Sequence, residues 1–137
     1  MRMMIFGCLL VSPALAAPPM PRWTPVPTEG RAVEIDRSSL NWRAMQRAWW
    51  RTVHAQPLKD GTAEERHLEL VDCNTGTSAV IQTVFLAADG RVLRDERDGE
   101  ELALQRLSPP TPDTVGEAVT EAACRLRPPP PPRAKRR

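Results

Sequence analysis

Apolar and polar residues alternate with a period of two through a succession of short stretches, and only one late segment changes to helical spacing. Arg31-Ala32-Val33-Glu34-Ile35-Asp36 alternates as a half-buried strand, and Asp36 ahead of Arg37-Ser38-Ser39-Leu40 caps a short turn. Trp23 to Pro27 alternates as well, but its prolines confine it to a sheet edge. Met45 to His54 contains good helix formers. The adjacent Trp49 and Trp50, followed by Thr52 and Val53, with Arg47 and Arg51 on one alternate face, nevertheless favour a strand. The turn signal Lys59-Asp60-Gly61-Thr62 leads into a second alternating run from Arg66 to Cys73, so the two runs form a long hairpin.

Thr77 to Ala87 is the most β-rich run, with Val80, Ile81, Thr83, Val84 and Phe85, and Asp89-Gly90 turns it back into Arg91-Val92-Leu93. Asp95 to Glu101 reads as a charged connector, and Leu102 to Leu107 as a weaker final strand before Ser108-Pro109-Pro110. Thr111 then reads as a helix cap with Pro112 at the first helical position, while Val115, Ala118, Val119, Ala122 and Ala123 recur at helical spacing up to Cys124. The apolar face of this helix is made of small residues, which predicts close packing on the sheet. The expected fold class is α+β: an antiparallel sheet of about five to six strands with a C-terminal helix packed across it.

The ends of the chain change this picture. Met1-Arg2-Met3-Met4, the apolar run Ile5 to Val11 and Ser12-Pro13-Ala14-Leu15-Ala16 read as a signal peptide over residues 1–16, cleaved after Ala16. Gly7-Cys8 has the look of a lipid-attachment site, but the apolar stretch ahead of Cys8 is too short, so lipid anchoring is not expected. No segment approaches the roughly 20 apolar residues that span a bilayer. Export reduces three cysteines to two, Cys73 and Cys124, in an oxidising compartment. A disulfide between them is expected, since a redox or metal pair lacks both CxxC spacing and neighbouring histidines.

Residues 17–124, the expected domain, hold 12 basic and 17 acidic side chains, whereas residues 125–137 hold six basic and no acidic ones. The near-neutral total therefore hides an acidic body and a basic tail. Pro128 to Pro132 predict a polyproline II spacer in an otherwise disordered tail. Its tip, Arg133, Lys135, Arg136 and Arg137, is a candidate contact for an anionic surface. Specific nucleic-acid binding is not expected, because the body lacks basic residues interleaved with aromatics.

Candidate chemistry is sparse. If Val53 faces Leu68 across the hairpin, His54 and His67 become cross-strand neighbours with Glu69 farther along the same face, a donor set for zinc or a haem iron. Ser38, Ser39 and Ser78 have no GxSxG setting, and there is no HExxH or Gly-rich phosphate loop, so neither catalysis nor a cofactor is expected. Trp49 and Trp50 point to opposite faces, one toward the helix and one outward. An outward tryptophan flanked by Arg47 and Arg51 is a candidate contact for a partner macromolecule or for a second copy of the chain.

The ordered set of landmarks resembles the surface-adhesin protein E family of exported bacterial proteins. The matching positions are Trp23, the Asp36-Arg37-Ser38-Ser39-Leu40 turn, the Trp49-Trp50 strand, Asp72-Cys73, the Asp89-Gly90 hairpin, Leu107-Ser108-Pro109 and Cys124. The family often has a tyrosine where Phe85 precedes the turn, and a tryptophan where Leu104 or Gln105 stands before the final helix. The resemblance implies a small antiparallel sheet with a C-terminal helix tied across it by the disulfide. It also implies a non-catalytic, adhesin-like role toward host or envelope macromolecules, at the cell surface or in the periplasm. The competing expectation is an envelope-associated structural protein that docks anionic polymers or lipids through its tail.

Overall fold

Each strand turns back on its predecessor, so chain order and sheet order coincide. In the computed structural model, which describes residues 21–133, the strands are β1 (Trp23–Val26), β2 (Ala32–Asp36), β3 (Met45–Val53), β4 (Glu64–Asp72), β5 (Thr77–Leu86) and β6 (Val92–Arg97). They form one antiparallel sheet in the order β1-β2-β3-β4-β5-β6. The expected leader, with Cys8, and the tail residues Lys135, Arg136 and Arg137 lie outside the described residues. Among the described residues no helix is long and apolar enough to cross a membrane.

The expected turn after β2 is a single 3-10 turn at Arg37–Ser39, and the Asp36 side chain accepts from the Ser38 backbone N–H at 2.9 Å. Two helices lie against the sheet. Helix α2 (Val115–Arg125) buries Val119, Thr120, Ala122 and Ala123. Its face joins Val26, Val33, Ile35, Leu40, Ala48, Trp50 and Val71 in the larger of the two core clusters. The Cys73–Cys124 disulfide fastens its end to the end of β4, with the Cα atoms 5.5 Å apart. The helix begins three residues later than the Thr111 cap would place it. Thr114 is the cap instead: its side chain accepts from the Glu117 N–H, and the Glu117 carboxylate accepts from the Asp113 N–H at 2.8 Å. The threonine and glutamate three apart satisfy exposed amide donors that Thr111 does not reach, which sets the start.

Two other expectations need correction. Leu102 to Leu107 is not a strand: Glu100–Gln105 forms the short helix α1, and only Ser108 pairs with the sheet, in an isolated bridge to Ser78. Glu, Leu, Ala and Gln are strong helix formers, and Gly99, at φ 83°, leads the chain into the turn. Ala103 is the contact residue, packing with Leu70 and Ile81 on the sheet face opposite α2. The charged connector, in turn, is partly strand, because β6 continues through Arg97 as an edge with both faces wet.

The β3–β4 hairpin is as long as expected but differs in register. Val53 pairs with Glu64 and Trp50 with His67, so Leu68 faces Trp49 rather than Val53. Strand β4 starts two residues before Arg66, and the His54 N–H donates to the Ala63 carbonyl at 2.9 Å, which closes the ladder there.

Candidate functional site

Strand alternation places Arg47, Trp49 and Arg51 on the side away from α2 and Trp50 beneath it. On the outer side α1 covers only part of the sheet, over Leu68, Leu70, Ala79 and Ile81. Beyond it the sheet curls so far that side chains from β1, β3, β4, β5 and β6 meet around one hollow of about 230 Å³. Its lining is Arg22, Trp23, Trp49, Arg66, Val84, Leu86 and Val92, tryptophan and aliphatic walls between two guanidinium groups.

Ion pairs organise the rim of this hollow. Arg22 Nε donates to Asp36 at 2.7 Å, Arg66 Nε to Glu64 at 2.6 Å and Arg51 Nε to Glu34 at 2.7 Å. The Arg51 guanidinium also lies 4.4 Å from the centre of the Trp23 ring, a cation–π contact that holds the indole in place. Burial pushes the Asp36 carboxyl up, but hydrogen bonds from Ser38 and Arg22 outweigh it and leave the group below its ordinary value. Asp36 thus stays ionised and keeps Arg22 at the groove.

Of the four residues expected at a partner contact, Trp49 lines the groove and Arg51 braces it through Trp23. Arg47 is engaged elsewhere, in an ion pair with Glu100 of α1. Trp50 is buried under α2 and unavailable to a partner. Trp23, Arg22 and Arg66 escape a reading of β3 alone, because they arrive from other strands. Their signal lies in register: Trp23 pairs with Asp36 and Arg66 with Arg51 on the same face.

The side facing α2 carries a buried polar chain. The Trp50 indole donates to Glu69 at 2.8 Å, and Thr120 of α2 donates at 3.2 Å to Ser78, which lies beside Glu69. Burial pushes the Glu69 carboxyl up, against the hydrogen bonds from Ser78 and Trp50. Burial also pushes His67 down, against the nearby Glu65 charge.

The two shifts act on stability in opposite directions. Glu69 binds its proton more tightly when folded, so its contribution is complete below about pH 4.5 and lost as pH rises through the folded value. His67 prefers to be neutral when folded, so its contribution is complete above about pH 6.5 and lost as pH falls. Glu69→Gln will therefore stabilise the protein at mildly alkaline pH relative to wild type and lose that advantage below about pH 4.5. Urea unfolding of both proteins at the two extremes checks this, and an equal difference at both would contradict the buried proton.

Both histidines lie beside one carboxylate, a different one from the one expected. Glu69 is committed to Trp50, whereas Glu65 lies between the rings: His54 Nε2 is 2.8 Å from Oε1 and His67 Nε2 is 3.7 Å from Oε2. His67 stacks on Trp50 at 4.0 Å between ring centres, and its Nδ1 bonds the Thr83 hydroxyl at 3.1 Å. As they stand, no three His, Cys, Asp or Glu side chains among the described residues are grouped as a ready metal centre. At the other end of the domain, Pro128 to Arg133 run exposed after α2, while Arg127 is tied back to the Cys124 and Arg43 carbonyls at 3.0 and 3.2 Å.

The sequence pattern of the family described as surface-adhesin protein E matches residues 23–125, from the first residue of β1 to the last of α2. The chain belongs to the surface-adhesin protein E family. The match takes in every strand, both helices and both bridged cysteines, so the family domain is the whole folded unit described above. Searches of curated proteins and of solved structures find no match. Family membership supports an adhesin-like role for a protein of this architecture.

Proposed function

We propose that the protein is an exported, non-catalytic adhesion module of the bacterial envelope or cell surface, and that it engages a protein partner through the Trp23–Trp49 groove. One observation carries this reading: a curled, apolar, tryptophan-walled groove stands uncovered in a family of surface adhesins. Tryptophan and arginine are the residue types that concentrate binding energy at protein interfaces. Arg22 and Arg66 each spend one Nε on a carboxylate, yet 68% and 41% of their side chains remain exposed. The complementary partner surface is an apolar side chain seated in the groove and flanked by carboxylates.

Beads coated with the mature protein will adhere to host epithelial monolayers, and Trp49→Ala will cut adhesion by about tenfold or more while leaving the fold intact. Undiminished adhesion by that variant and by Trp23→Ala would remove the groove from the account. Protease treatment of intact cells will cleave a surface-displayed chain and spare a periplasmic one.

A second reading has one observation of its own, the separation of an acidic body from a basic tail by the exposed run Pro128 to Pro132. Through Arg133, Lys135, Arg136 and Arg137 the tail would hold the protein to anionic envelope polymers or lipids. Deleting residues 128–137 and measuring envelope retention separates this reading from the first.

A further inference from the structure

We propose that His54, Glu65 and His67 form a binding site for zinc or a similar first-row divalent cation at the loop end of the β3–β4 hairpin. The donor set is two imidazoles and one carboxylate, the mixture that suits such ions. The three residues come together by register: Glu65 and His67 are alternate residues on one face of β4, and His54 directly follows β3. Both Nε2 atoms point at the same carboxylate, one at each oxygen.

An ion would enter between the two imidazoles and the carboxylate. Donors on a tetrahedral ion with bonds of about 2.0 to 2.1 Å lie about 3.3 Å apart. The two nitrogen–oxygen separations, 2.8 and 3.7 Å, run to different oxygens of Glu65. Side-chain rotation must bring the three donors to that spacing, so the site closes on the ion rather than standing pre-formed.

His67 already has the outer partners of a metal ligand. Its Nδ1 is engaged by the Thr83 hydroxyl, which directs Nε2 inward, and the Trp50 ring stacked on it fixes the imidazole plane. Access comes from an open hollow of about 550 Å³ lined by His54, Glu65, Thr52, Leu58, Gly30 and Arg31. It leaves room for water at the remaining coordination position. Arg31 is a cation in the same hollow and opposes binding.

The test uses the mature chain without a histidine tag. Zinc titration by calorimetry will give one site per chain in the micromolar range, and nickel will quench Trp50 through the stacked His67 ring. His54→Ala and Glu65→Gln, both at partly exposed positions where the fold is retained, will each weaken zinc binding by about tenfold or more. Arg31→Ala will bind zinc at least as tightly as wild type. Absence of zinc binding in the micromolar range, or equal affinity in wild type, His54→Ala and Glu65→Gln, overturns the proposal.

Discussion

Replacing Cys73 and Cys124 together by alanine will lower the unfolding free energy by about 4 kcal/mol and the melting temperature by on the order of 20 °C. The bridged residues are 51 positions apart, so the bond removes a large share of the unfolded chain's freedom. For a domain of this size that is a substantial part of a total that typically lies at about 5–15 kcal/mol. The structure adds a local reason. Helix α2 meets the sheet mainly through Val119, Ala122 and Ala123, and alanines bring little apolar area to a contact. Without the bond, amide exchange in Val115–Arg125 will accelerate before exchange in the central strands. Denaturant curves of the double variant beside the oxidised protein measure the global effect. Coincident midpoints would mean that packing alone holds α2.

Trp50→Ala will cost about 3–5 kcal/mol, the range for removing a large buried aromatic side chain. This indole is a wall of the α2 core, a stacking surface for His67 and a hydrogen-bond donor to Glu69. Trp50→Phe isolates the last role: it keeps an aromatic ring and leaves Glu69 without its indole donor, at a cost of about 1–3 kcal/mol. A cycle combining Trp50→Phe with Glu69→Gln will be non-additive by about 0.5 kcal/mol or more, because a neutral amide suffers less from losing the donor. Additive losses would show that the bond contributes nothing beyond packing.

The strand content and the disulfide were legible because each rests on a pattern the sequence carries locally. Alternation marks β2, β3, β4 and β5, the Asp89-Gly90 turn marks the β5–β6 hairpin, and the expected export left Cys73 and Cys124 as the one candidate pair. Helix α1 was not legible, since Leu102, Leu104 and Leu107 imitate a strand and six residues are too few to display a helical period. Nor was the end of β6, because an edge strand wet on both faces has no apolar alternation to read. The groove and the histidine pair were only half visible. Trp49 and Arg51 follow from β3 itself, whereas Trp23 depends on curvature of the sheet. The exchange of Glu69 for Glu65 beside the histidines depends on where backbone pairing begins after the Lys59-Asp60-Gly61-Thr62 turn.

The position of the disulfide also decides how the domain carries tension. A pull between the start of β1 and the segment after α2 enters at Cys124 and passes through the sulfur bond to Cys73, at the end of β4. Strands β5 and β6, helix α1 and the part of α2 before Cys124 lie inside the covalent loop, off the covalent path of the load. Only β1 to β4 can be drawn out, and the chain's extension under force stops at the bridge.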